Sequence, residues 1–139
     1  MTKPPVRAES EIEVRYAETD QMGVVHHANY LVWFELARTR LCAQSGFHYA
    51  QIEESGYLLM VTGVEVRYRR GARYGDRIRI VCWLERLASR GLRFAYEVYR
   101  HDELLATGTT EHVWVEAASQ RLCRTPENLR QAFAELAGN

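Results

Sequence analysis

Polar and apolar residues begin to alternate only at Glu11, after an opening stretch that is polar and contains Pro4 and Pro5. From Glu11 to Ala17 the apolar residues Ile12, Val14 and Tyr16 fall on one face, the period-two spacing of a short strand. Residues 1–10 are therefore expected to form a flexible tail, and residues 11–139 a single domain. A polar segment, Glu18 to Gly23, breaks the alternation. From about Ala28 to Ser45 the period becomes helical, with Tyr30, Phe34, Ala37 and Leu41 on one face. Leu31, Trp33 and Leu36 widen that face, and a helix so apolar around its circumference is expected to be wrapped by other elements. Gly46 is a suitable stop. Phe47 to Gly56 leaves room for a second short helix and a loop. Four alternating runs follow, Leu58–Arg69, Arg77–Leu84, Leu92–Val98 and Leu104–Val115. They are separated by the turn GARYGD, by Ala88–Gly91 and by His101–Glu103. Pro126 opens a last amphipathic helix with Leu129, Phe133 and Leu136 on one side.

This order predicts an α+β fold: a five-stranded antiparallel sheet wrapped around a long central helix, with a C-terminal helix after it. Such a sheet leaves edges and a broad face that need cover, so self-association into a dimer or tetramer is expected.

Composition changes this picture little. With 47% hydrophobic and 26% charged residues, the chain of 139 residues can bury a core without a disulfide or a metal staple. The formal net charge is zero, so nothing draws the chain at long range to nucleic acid or an anionic membrane. Every basic residue except Lys3 is Arg. Cys42, Cys82 and Cys123 lack metal-ligand spacing and are expected to be packing residues. No apolar run approaches a membrane span and nothing resembles a signal peptide, which makes the cytoplasm the expected location.

The chemistry should sit in the segment between the first strand and the long helix. Asp20 stands in a loop just before a helix start, and Gly23 permits a close approach of backbone. A helix N-terminus offers unpaired N–H groups and the positive end of a macrodipole, which can stabilise a developing oxyanion. A carboxylate beside such a site can attack a thioester carbonyl or activate a water that does. Against this, a lone Asp before a helix is usually a cap, and His26 and His27 lack a carboxylate partner at metal-binding spacing. Glu18 reads as a solvated turn residue.

The run RYAETDQMGVVHHANYLVWFELAR resembles the signature of the 4-hydroxybenzoyl-CoA thioesterase family, YbgC type, within the hotdog superfamily. That signature is an aspartate, a Gly-Val-Val step, an Asn-Tyr-Leu helix opening and an aromatic-rich helix with Glu-x-Ala-Arg. The segment VEVRYRRGARYGD, Val64–Asp76, is similar to the family's second strand and turn. The resemblance implies a hotdog fold and hydrolysis of a fatty or aromatic acyl-CoA to acid and CoA, with no cofactor and no metal. It implies that Asp20 is catalytic, as nucleophile or general base. It implies that the main-chain N–H of His27 polarises the thioester carbonyl. Gly23, Val25, His26, Asn29 and Tyr30 are the expected substrate-binding residues, and Arg70, Arg73, Arg90 and Arg93 the expected holders of the CoA phosphates. Two departures stand out. His26 occupies a position where Tyr, Phe or Trp is commoner, and Gly71 one where Pro is usual, which should loosen the turn before Tyr74. Two other readings keep the groove: a thioesterase whose acyl group arrives on an acyl carrier protein, and a non-catalytic acyl-thioester-binding module.

Overall fold

The computed structural model describes residues 3–138. The first two residues of the expected tail and Asn139 lie outside that range. In chain order the elements are β1 (Arg7–Glu13), a single 3-10 turn (Tyr16–Glu18), α1 (Asn29–Gln44), α2 (Tyr49–Glu54) and β2 (Tyr57–Tyr68). They continue with β3 (Arg77–Leu87), β4 (Gly91–Arg100), β5 (Glu103–Glu116), β6 (Arg121–Cys123) and α3 (Glu127–Leu136). The antiparallel sheet runs β1-β3-β4-β5-β2, and the short β6 adds to the end of β5. The five expected strands are present, and the sixth is a three-residue addition with no alternation long enough to read.

The first strand corrects the sequence reading. It starts at Arg7, so residues 7–10 are not tail: Arg7 pairs with Trp83, Ala8 with Cys82 and Ser10 with Ile80. The strand stops at Glu13, and Tyr16, expected on its apolar face, is 76% exposed on the 3-10 turn. Glutamates at positions 9, 11 and 13 lie on the exposed face, and the opposite face carries the small Ala8 and the polar Ser10, so the apolar alternation is weak there.

Helix α1 buries Tyr30, Trp33, Phe34, Ala37, Arg38, Leu41 and Cys42, spacings of three and four that form one broad stripe. Leu31, Val32 and Leu36 on its other side stay partly exposed, so the sheet covers one face of α1 rather than its whole circumference. Phe34 stacks on Tyr96 of β4 with ring centroids 4.1 Å apart and an interplanar angle of 8°. Beneath the stack, β5 carries Gly108, where a β-carbon would lie 2.5 Å from the Phe34 ring and 2.9 Å from the Glu65 carbonyl. The helix can therefore approach the sheet only because position 108 lacks a side chain. A polar thread runs through the same layer, from the Tyr96 hydroxyl to Thr110 Oγ1 at 2.7 Å and on to His112 Nε2 at 2.8 Å. Burial, with the Arg38 charge nearby, pushes the His112 imidazole down to about 4, so it sits neutral in the core. Cys42 and Cys82 are buried packing residues, and burial pushes the Cys42 thiol up to about 12.

The two sheet edges differ. β1 is short and lined with charge, whereas β2 is twelve residues long and none of its residues is buried. Met60, Val61, Val64 and Tyr68 of β2 are each 40–48% exposed. No described helix is long and apolar enough to cross a membrane.

Replacing Gly108 with Ala should lower stability by about 1–3 kcal/mol through overpacking against Phe34. Urea unfolding checks this, and an unchanged midpoint would show that α1 can lift at no cost.

Candidate active site

The loop between β1 and α1 is held closed from within. Glu18 sits at the end of the 3-10 turn with its side chain buried. One carboxylate oxygen accepts the Arg15 N–H at 2.9 Å, and the other accepts the indole N–H of Trp33 on α1 at 2.9 Å. Its main-chain carbonyl accepts the His26 N–H at 2.8 Å and the Asn29 side-chain amide at 3.0 Å. Glu18 thus ties the descending arm of the loop to its ascending arm and to the helix. It is not the solvated turn residue its polarity suggested. Burial alone would raise its pKa, but the Arg15 and Trp33 hydrogen bonds and the Arg15 charge outweigh that and hold it below the ordinary value.

Within this clamp, Asp20 to Val24 forms a tight turn. The Asp20 N–H donates to the Val24 carbonyl at 2.9 Å, and the Gly23 N–H donates to the Asp20 carbonyl at 3.0 Å. Gly23 has φ +79°, the left-handed region that favours glycine. One carboxylate oxygen of Asp20 accepts the Met22 N–H at 2.9 Å, which fixes the rotamer by an Asx turn. The side chain therefore stays within its own loop and does not cap α1.

The start of α1 narrows the supply of amide donors. Ala28 N–H donates to His26 Nδ1 at 3.3 Å, Asn29 N–H to the His26 carbonyl at 3.0 Å, Tyr30 N–H to the His27 carbonyl at 3.3 Å and Leu31 N–H to the Ala28 carbonyl at 3.2 Å. Among the described residues, none accepts from the His27 N–H. In a trans peptide the N–H and C=O point opposite ways. With its carbonyl engaged by Asn29, the peptide joining His26 to His27 turns its N–H away from the helix.

Asp20 and His27 line the same cavity, of about 270 Å³, together with Met22, Val24, Val25, Tyr30, Tyr68, Arg69, Arg70 and Gly71. The apolar walls and the aromatic rings suit an acyl group, and the carboxylate and the arginines stand at its margins. The structure brings Val25 and Tyr30 to the cavity as expected. Gly23 and Asn29 act from behind it, through the turn and through Glu18. His26 is exposed and its ring lies 4.3 Å from that of His27. Met22, Val24, Tyr68, Arg69 and Gly71 were not foreseen as wall residues. Tyr68 could have been suspected from its place at the end of an alternating strand.

The four arginines expected to hold CoA do not form one group within the chain. Arg70 borders the cavity, with an ion pair to Glu103 at 3.0 Å. Arg73 lies beside the Asp20 turn, its guanidinium 3.8 Å from where a β-carbon on Gly23 would be. Arg93 pairs with Glu111 and with Glu85, and Arg90 lies in the β3–β4 turn; both are at the far end of the sheet. Gly71 does not loosen its turn. A β-carbon there would lie 2.8 Å from Val24 Cγ1, so the Asp20 loop fills the space that the missing side chain leaves. Arg100 braces the turn through Asp76 at 2.7 Å and Glu103 at 2.6 Å.

Known proteins agree with this architecture. The model of a family described as the thioesterase-like superfamily matches residues 14–133. The chain is 38% identical over 129 residues to the "Putative acyl-CoA thioesterase YneP" of Bacillus subtilis, covering 92% of this chain and 91% of that one. It superposes on the crystal structure of DHNA-CoA thioesterase from Staphylococcus aureus with a TM-score of 0.89 at 32% identity, over 94% of this chain and 90% of that one. A hypothetical protein from Thermus thermophilus also gives a TM-score of 0.89, at 38% identity, over 94% and 98% of the two chains.

Glu18 sets a pH test. Its lowered pKa means that its contribution is complete above the unfolded value of 4.5 and is lost as pH falls through the folded value. Glu18→Gln should cost about 1–3 kcal/mol at neutral pH, because a buried donor loses its acceptor. The gap between variant and parent in urea unfolding should narrow below pH 4.5; a gap that stays constant with pH would remove the carboxylate from this role.

Proposed function

The chain belongs to the thioesterase-like superfamily and is a thioester hydrolase of acyl-CoA; from that premise we propose that Asp20 and the His27 N–H carry the reaction. The observation behind this reading is the His27 amide at the start of α1, which has no acceptor among the described residues and belongs to a residue lining the same cavity as a carboxylate locked in its own turn. The thioester carbonyl accepts a hydrogen bond from the His27 N–H, and α1 adds the positive end of its macrodipole. As negative charge builds on that oxygen in the tetrahedral transition state, the amide bond strengthens without reorganisation. Asp20 either takes a proton from the attacking water or attacks the carbonyl itself, giving a mixed anhydride that water then cleaves. Both routes expel CoA as the thiolate. Arg69 and Arg70, which line the cavity, and Arg73 beside the Asp20 turn are the cations placed to receive CoA phosphates.

The unit that works is, in this reading, at least a dimer joined through β2. An exposed, apolar, twelve-residue edge strand is a template for pairing, and a two-fold axis across β2 pairs it antiparallel with its copy. The Tyr68 end of one strand then lies at the Met60 end of the other. Met60 is in register with Val113, and Val113 with Gly91. Pairing would therefore bring the β3–β4 turn of the second copy, with Arg90, toward the first copy's cavity, three strand spacings or about 14 Å from the first copy's β2. The arginines separated within one chain would meet across the pair.

Asp20→Asn should lower kcat by about 10²–10⁴-fold, the range for losing a positioned base, with the thermal midpoint nearly unchanged. Thiol release from a panel of acyl-CoAs measures it, and parental turnover would remove Asp20 from the reaction. Val64→Glu places charge on the proposed pairing strand and should shift the sedimenting species toward the monomer, with loss of turnover. An unchanged sedimentation coefficient would rule out the β2 interface.

A further inference from the structure

Tyr68 occupies a position that neither the loop motif nor the expected site residues include. It is the last residue of the edge strand β2, and its hydroxyl donates to the main-chain carbonyl of His27 at 2.9 Å. Its ring packs edge-on against Tyr30 at 5.1 Å and faces the His27 ring at 6.5 Å. Tyr68 also lines the cavity. We propose that Tyr68 is a positioning residue for the hydrolysis, acting through the His27 backbone; this rests on the reading that the His27 N–H receives the thioester carbonyl.

The argument is one of torsions. Two peptide planes meet at His27. The plane before it is set by the Asn29 N–H on the His26 carbonyl, and the plane after it contains the His27 carbonyl and the Ala28 N–H. The Ala28 N–H is held by His26 Nδ1 at 3.3 Å, and the carbonyl otherwise has only the Tyr30 N–H, also at 3.3 Å. Both are long for hydrogen bonds of their kind. The Tyr68 hydroxyl supplies the short contact to that plane, and it comes from the sheet rather than from the helix. It therefore ties the opening of α1 to β2 and, through the His27 torsions, limits how the preceding plane, which carries the free His27 N–H, can turn. An oxyanion donor is useful only if its direction is set before charge develops, and small misplacements are costly. Desolvation raises the Tyr68 pKa, so the phenol keeps its proton and remains a donor at neutral pH. Because β2 is also the proposed pairing strand, Tyr68 would link subunit pairing to the direction of the amide.

Tyr68→Phe keeps the ring on Tyr30 and deletes only the hydroxyl. The expected result is a fall in kcat of about tenfold or more with KM changed less than about threefold, since donor alignment serves the transition state more than ground-state binding. A purely structural role would not move a second readout, the carbonyl stretching frequency of a thioester bound to the Asp20→Asn protein. Adding Tyr68→Phe to that background should shift the band back toward its value in water. Parental kcat in Tyr68→Phe, or a band that does not move, overturns the proposal. If Asp20→Asn itself turns over normally, the underlying reading fails instead, which separates the two outcomes. Tyr68→Leu serves as a control for the ring: it should lower the thermal midpoint, whereas Tyr68→Phe should not.

Discussion

The buried carboxylate of Glu18 is the constraint on which the arrangement rests. A loop of eleven residues, 18 to 28, leaves the end of the 3-10 turn, reverses at Asp20–Gly23 and returns to open α1. Nothing in a polar loop favours one path over others. Glu18 selects one, because its main-chain carbonyl takes donors from His26 and Asn29 while its side chain takes the indole N–H of Trp33 in the helix core. An unpaired carboxylate at that depth would be strongly destabilising, so any path that breaks these bonds carries a heavy penalty. The turn that holds Asp20 and the peptide that exposes the His27 N–H are both consequences of this clamp.

A second constraint comes from below. Phe34 can stack on Tyr96 only because Gly108 clears its path, and Val24 can lie against the turn at residue 71 only because Gly71 has no side chain. Two glycines on different elements thus fix how closely the helix and its preceding loop approach the sheet. The cavity is the space left over, bounded by the loop, the first turn of α1 and the end of β2. It lies at the open edge of the sheet, beside a strand with no buried residue. Within one chain Arg69 and Arg70 line it, while Arg90 and Arg93 lie at the far end of the sheet; in the proposed reading, this placement ties the chemistry to pairing of copies.

Much of this was legible in the residue pattern. The helical stripe of Tyr30, Phe34, Ala37 and Leu41, the four alternating strands after residue 57 and the C-terminal helix opened by Pro126 all follow from periodicity, because each element buries one face and period is what burial selects. The loop motif around Asp20 and Gly23 was legible as well, and with it the family and the acyl-CoA thioesterase activity. The pattern failed where burial and polarity part company. β1 was set four residues too late because its first buried positions are the small Ala8 and the polar Ser10, and Glu18 was read as solvated because a buried carboxylate looks no different in sequence from an exposed one.

What the sequence determined by itself, then, was the order and type of the elements and the chemical identity of the loop, since these depend on local periodicity and on residues near one another in the chain. Only the tertiary structure decided which amide at the helix start remains unpaired, that Tyr68, forty-one residues from His27, fixes the carbonyl beside it, and that Arg70 and Arg73 lie apart from Arg90 and Arg93. Each of these turns on the distance between residues that the strand register and the approach of α1 to the sheet bring together or hold apart, and no local pattern encodes such a distance.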